Sequence, residues 1–216
     1  MTAEWLDRWA TGRIGWHEED GNAGLQSHWP ANADAKRVLV PLCGKSQDLI
    51  WLARRGHEVV GVELAEKAIH EFFADNDLAY RVDSSEALDC YSADDFPISI
   101  YCGDYFEFDA PPFDALYDRG ALVAMPESLR SKYVGHTKKL LRPDAIRLLI
   151  TLEYDQSVVQ GPPFALLPSE LSTYWDDLVR VEEIDDLETC PPKFRAAGLT
   201  EIKEVVWLAA GTTVSR

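Results

Sequence analysis

The sequence predicts an α/β fold, a doubly wound and mostly parallel sheet with helices on both faces, preceded by a tryptophan-rich N-terminal segment that suits a cover over a cleft as well as plain core. Three observations carry this. From Arg37 onward, apolar runs of strand length alternate with stretches whose apolar residues recur at helical spacing. A tight glycine turn follows the first run, at the end of the sheet where such folds bind ligands. Residues 1–35 lack the alternation and hold Trp5, Trp9, Trp16 and Trp29, four of the seven tryptophans.

Each element has its own signature. RVLVPL reads as a buried strand, and Cys43-Gly44-Lys45-Ser46 turns the chain into SQDLIWLARRG, a helix with Leu49, Leu52 and Ala53 on one face and Gly56 as its stop. HEVVGVE is a second buried strand, and LAEKAIHEFFADN a helix with Ala68, Ile69, Phe72 and Phe73 aligned. The polar stretch 75–96 carries turn signals and room for a small hairpin around AYRV and LDCY. ISIYC and FDALYD are the third and fourth strands, and ESLRSKYVGHTKKLL is a helix that Arg142-Pro143 stops. IRLLITLEY is the fifth strand, PSELSTYWDDLV a helix, VEEIDDLE the sixth strand, CPPKFRAAG a short helix ended by Gly198, and EIKEVVWLAA the last strand. Leaving the hairpin aside, the sheet is seven-stranded. One domain is expected over residues 1–216, a cover segment at 1–35 and the core at 36–216.

Composition narrows the function. With 216 residues, 46% of them hydrophobic and 27% charged, the chain can bury a core without a disulfide or metal staple. Its 37 acidic against 21 basic residues give a net charge of −16 and disfavour nucleic acid and anionic membrane as partners. No apolar run nears the ~20 residues that cross a bilayer, and the N-terminus carries charges where a signal peptide is apolar. Cys43, Cys90, Cys102 and Cys190 form no C-x-x-C pair, and the five histidines no H-x-x-H or H-x-x-x-H, so neither zinc nor redox chemistry is indicated. The expectation is a cytoplasmic, metal-free monomer that works on a small molecule.

Ligands of such sheets sit beyond the carboxyl ends of the strands. CGKS resembles the end of a phosphate-binding loop, but the full pattern requires glycine where Leu39 stands inside the strand. The dinucleotide pattern fails as well, because Gly44 is the only glycine between Gly24 and Gly56. What survives is one glycine turn and an acid, Glu63, at the end of the second strand, placed to accept hydrogen bonds from both hydroxyls of a ribose. The cofactor is then an adenosine compound without a pyrophosphate, which S-adenosylmethionine satisfies. At the third strand end, CGDYF offers a turn glycine, an acid and two rings where an adenine would lie. Read singly, Glu63 is equally an ordinary strand-end acid, Asp104 a turn residue, and the tryptophan cluster plain core.

The strings VLVPLCGKSQDLIWLARRGHEVVGVELAEKAI, IYCGDYFEF, ALYDRGALVAMP and GPPF, in this order, resemble the thiopurine S-methyltransferase family, and WLDRWATGRIGWHE is similar to its N-terminal segment. The resemblance spans nearly the whole chain and implies a Rossmann-like class I methyltransferase. It implies that Trp9, Leu42, Glu63 and Arg119 contact S-adenosylmethionine, with Asp104 and Tyr105 beside the adenine and S-adenosylhomocysteine as product. It also implies that Trp16 faces the acceptor thiol and that Gly161, Pro162, Pro163 and Phe164 form a loop over the acceptor. The stretches 78–97 and 169–188 match weakly, which leaves the acceptor range open.

Transfer of a sulfonium methyl to sulfur is an in-line displacement that demands a thiolate held within about 3 to 3.5 Å on axis, in a pocket that keeps water out. Arg119 is the cation placed to favour anionic sulfur, unless it merely pairs with Asp118 or another carboxylate. No general base is evident in the sequence. An aromatic or heterocyclic thiol is the expected small-molecule acceptor, with selenium or tellurium species and halide as alternatives. Outside this class stand a non-catalytic S-adenosylmethionine-binding module and a kinase that uses Lys45.

Overall fold

The computed structural model of the protein describes residues 2–15, 17–31, 36–84 and 88–211. Helices α1 (Thr2–Ala10) and α2 (Ala23–His28) come first, then β1 (Arg37–Pro41), α3 (Asp48–Arg54), β2 (Glu58–Glu63) and α4 (Glu66–Asp75). The hairpin β3 (Tyr80–Asp83) and β4 (Asp89–Ala93) leads to β5 (Ile98–Cys102), β6 (Phe113–Arg119), α5 (Glu127–Leu140) and β7 (Leu141–Tyr154). The chain closes with α6 (Pro168–Tyr174), β8 (Val179–Asp185), α7 (Pro192–Ala196) and β9 (Ile202–Ala209). Among the described residues no helix is long and apolar enough to cross a membrane.

The strands form one sheet in the order β3-β4-β5-β2-β1-β6-β7-β9-β8. It has nine strands where the seven-strand count stopped short, because the hairpin pairs antiparallel with β5 and extends that edge. The five central strands run parallel, whereas β3, β4, β8 and β9 join through antiparallel pairs, so "mostly parallel" holds for the centre only.

Alternation along the central strands sorts side chains between two cores. Val38 and Val40 of β1 and Ala115 and Tyr117 of β6 face α2, α3 and α4, where Leu25, Leu49, Leu52, Ile69 and Phe72 meet them. Leu39 and Leu116 face the opposite side, against Tyr133 and Leu140 of α5 and Leu171 of α6. Near-continuous apolar strands are what a sheet buried on both faces requires.

Two boundaries moved for physical reasons. Helix α6 ends at Tyr174 because Trp175 leaves the helix to bury its ring between the Lys138 ammonium and the Arg147 guanidinium, while Asp177 pairs with Arg147. Strand β7 begins at Leu141, ahead of Pro143, and the irregular register between Phe113 and Ala115 of β6 accommodates the residues around that proline.

The link from β6 to α5 rests on Asp118, whose buried carboxylate accepts from the Leu122 N–H at 3.0 Å and the Tyr133 hydroxyl at 2.7 Å. This holds the turn that carries Arg119. Burial pushes the Asp118 carboxyl up to about 6 against opposing hydrogen bonds from Leu122 and Tyr133. Its proton is therefore bound more tightly in the folded than in the unfolded chain, and ionisation costs stability as pH rises from about 4 to about 6. In denaturant unfolding, wild type should gain on Asp118→Asn by roughly 1 to 2 kcal/mol between about pH 6.5 and 4.5. A gain by the variant would show that the site favours the ionised acid.

Candidate active site

The site starts at the turn after β1. Leu42 and Gly44 both take left-handed backbone angles, φ 49° and 54°, which fold the turn back over β2. Cys43 follows it down: its N–H donates to the Val62 carbonyl at 3.1 Å, and its Sγ comes so near Gly61 that a Cβ there would meet it at 2.7 Å. Glu63 then ties two turns together. Its Oε2 accepts from the Gly44 N–H and its Oε1 from the Ala65 N–H, both at 2.8 Å, while the carboxylate itself is buried. Burial pushes the Glu63 carboxyl up, and the amides of Ala65, Gly44 and Leu64 pull it back. Trp9 of α1 roofs the turn. It packs with Ala65, Ala68 and Ile14, and a Cβ on Gly44 would stand 3.1 Å from its ring.

Between this roof and the strand ends lies a cleft with about 950 Å³ of open space, part of it open to solvent. Of the residues implicated by sequence, the cleft brings together Trp9, Leu42, Glu63, Arg119 and Pro163. Arg119 pairs through Nη2 with Glu18 of the lead-in rather than with Asp118. The 161–164 loop is pinned where the Phe164 N–H donates to the Val123 carbonyl and the Tyr154 hydroxyl to the Pro163 carbonyl, both at 2.6 Å. Pro163 reaches the cleft, whereas the Phe164 ring lies 5.9 Å from the Arg130 guanidinium and Gly161 and Pro162 are outside the wall.

Asp104 and Tyr105 are not in that wall. Asp104 is exposed beyond β5, next to the Glu63 strand end, and its carboxylate accepts from the Phe106 N–H at 2.9 Å. The Tyr105 ring turns into the core beneath α5, its hydroxyl 2.9 Å from that of Thr137. Trp16 lies outside the described residues.

Sequence reasoning missed the floor beneath Arg119. Asp48 is fully buried, accepting from the Asn22 N–H and the Tyr117 hydroxyl, both at 2.7 Å. The Asn22 amide donates on to Glu204 at 3.0 Å, and burial pushes the Glu18 and Glu204 carboxyls up. These partners come from β6, β9 and the lead-in, so no local pattern announces them. Trp5 and His17 also line the cleft, and both stood in the quoted N-terminal string. Lys45 is held by Asp75 at 2.9 Å and Glu71 at 3.1 Å, so the cation a phosphate cradle would use is already committed to α4.

The model of the family described as thiopurine S-methyltransferase matches residues 1–212. A thiopurine S-methyltransferase of Pseudomonas fluorescens (strain Pf0-1) is 41% identical over 214 residues, covering 96% of this chain and 97% of that protein. One from Photobacterium profundum is 39% identical, covering 96% and 98%. Among solved structures, the Burkholderia thailandensis 1,6-didemethyltoxoflavin-N1-methyltransferase, which contains S-adenosylhomocysteine, superposes with a TM-score of 0.63 at 20% identity, covering 98% of this chain and 87% of that one. TehB from Haemophilus influenzae gives 0.57 at 13%, covering 87% and 65%. These two show the fold.

An alanine at position 44 has to push the Trp9 ring back by a few tenths of an ångström and adopt a left-handed angle. Gly44→Ala should therefore lower unfolding stability by about 1 to 2 kcal/mol and shift tryptophan emission toward the red as the roof lifts. Unchanged stability and emission would show that Trp9 does not rest on the turn.

Proposed function

The chain belongs to the thiopurine S-methyltransferase family, S-adenosylmethionine-dependent methyltransferases, and on that premise we propose that this cleft transfers a methyl group to the sulfur of aromatic or heterocyclic thiols. The observation that carries the reading is the roofed turn itself, in which Glu63, Gly44 and Trp9 meet at the mouth of a cleft that also holds Arg119.

The residues present fit the cofactor. Each Glu63 oxygen accepts one backbone amide and, as a carboxylate oxygen, has capacity for a further donor such as a ribose hydroxyl. Gly44 keeps the turn bare of side chain below Trp9, and Leu42 lends an apolar wall. Asp104, at the adjoining strand end, is our candidate for the adenine side, and Tyr105 can serve there through its backbone only, since its ring is committed to the core. When bound, S-adenosylmethionine supplies an electrophilic methyl on a sulfonium sulfur.

The protein's own residues do the rest. From the lead-in, Trp5, Trp9 and His17 line the cleft and exclude water, which strengthens every charge interaction inside. Pro163 faces the acceptor, with Gly161, Pro162 and Phe164 holding the loop behind it; the acceptor role of Trp16 rests on the family resemblance alone. Arg119 holds the acceptor sulfur as its anion. Among the described residues its pairing with Glu18 uses Nη2 alone, and a guanidinium carries five donors. Arg119→Lys retains the charge without the planar fork, so it should impair turnover less than Arg119→Ala if charge is what stabilises the thiolate.

Two measurements test the assignment. In titration calorimetry Glu63→Ala should weaken S-adenosylhomocysteine several-fold to a hundredfold, the loss of up to two charge-assisted hydrogen bonds partly replaced by solvent; unchanged affinity would remove Glu63 from the site. Bound cofactor should also slow amide exchange across α1, and equal exchange with and without it would make the lead-in simple core packing.

A further inference from the structure

One lining side chain has chemistry that the proposed reaction leaves unused. His17 stands in the cleft wall with Arg119, Leu42 and Pro163, half-buried, its backbone N–H donating to the Ile14 carbonyl at 3.0 Å. Among the described residues nothing hydrogen-bonds or ion-pairs with its ring.

The other titratable groups of the wall are committed. The capacity that Glu63 keeps beyond its two backbone amides is assigned above to the ribose, and Asp48 accepts from Asn22 and Tyr117. Lys45 and Arg119 are cations already paired. The Cys43 thiol is buried, and Tyr117 donates its proton to Asp48. That leaves His17 as the described group of the wall with a lone pair free to take a proton near neutral pH.

We propose that His17 is the proton acceptor for thiols that enter the cleft un-ionised, a role that rests on the methyl-transfer reading above. The imidazole takes the S–H proton as the sulfur electron pair forms the new bond to the methyl carbon. The bond from that carbon to the sulfonium breaks, its electron pair staying on the departing sulfur, which leaves as a neutral thioether. The imidazolium then releases its proton to water. The surroundings keep the ring neutral beforehand: burial lowers its pKa, Lys45 and Arg119 lower it further, and Asp75 and Glu19 oppose them. The role matters most for weakly acidic thiols, since a pKa near 8.5 leaves only a few per cent thiolate at neutral pH.

The test compares an alkyl thiol with a nitro-substituted benzenethiol that is already ionised at neutral pH. His17→Gln should cut turnover of the alkyl thiol at least tenfold more than that of the aryl thiol, and the gap should close as pH approaches the alkyl thiol's pKa. Added imidazole should restore part of the alkyl rate in His17→Ala. A readout without turnover uses wild-type protein with isotope-labelled histidine and S-adenosylhomocysteine: adding the alkyl thiol should shift the His17 ring nitrogen resonances as the neutral ring accepts a hydrogen bond from the S–H. Equal loss for both thiols with unmoved ring resonances would overturn the proposal and leave methyl transfer intact. Absence of a methyl thioether from either thiol with wild type would instead sink the parent reading, and this one with it. If both variants fail to bind S-adenosylhomocysteine, the ring resonances of wild type decide alone.

Discussion

Two backbone amides from different turns, those of Gly44 and Ala65, converge at 2.8 Å on the two oxygens of Glu63. A carboxylate buried at the end of a strand is costly unless donors surround it, and here the donors are the turns that follow β1 and β2. Remove the acid and both turns lose their common anchor. The bonds also decide where the glycine goes, because the turn must fold back over β2 to bring the Gly44 amide to the acid, and this needs left-handed backbone at Leu42 and Gly44.

From that constraint the roof follows. A turn without a Cβ at Gly44 presents a flat face, and Trp9 occupies it, packed against Ala65 and Ala68 at the start of α4. The lead-in thus touches both turns that Glu63 joins. Further along, the same segment reaches the other side of the cleft, where Glu18 pairs with Arg119 and Asn22 bridges Asp48 and Glu204. Asp48, Glu18 and Glu204 share one guanidinium, and burial pushes the Glu18 and Glu204 carboxyls up while Arg119 pulls them back. The cover segment is therefore joined to the sheet by hydrogen bonds and charge at one end and by aromatic packing at the other.

How much of this was legible depended on range. Strands β1, β2, β5, β6 and β7 announced themselves because burial on both faces demands unbroken apolar runs, α3 and α4 because one face alone is apolar, and α5 through the proline that follows it. Glu63 and Gly44 were legible for the same reason: each ends an element whose limits are local. The Asp48–Asn22–Glu204 chain was not, since its members lie 26 and 182 positions apart and meet only once the sheet is assembled. Tyr105 shows the converse limit. Its position in the chain follows the end of β5, beside the Glu63 strand end, yet the chain turns its ring under α5, and only a three-dimensional packing demand decides that. The hairpin β3–β4 was visible as short alternating runs, but nothing local says that it joins the edge of the sheet beside β5.

The most direct measurement is a titration of the protein with S-adenosylhomocysteine, followed by the amide resonances of Gly44 and Ala65 and the indole N–H of Trp9. The indole N–H of Trp29, hydrogen-bonded to His57 at 3.0 Å, serves as the internal reference. If the cofactor sits on the turn that Glu63 organises, the first three move together with a single affinity while Trp29 stays in place. Saturation with Gly44, Ala65 and Trp9 unmoved, and shifts elsewhere on the sheet, would contradict the account.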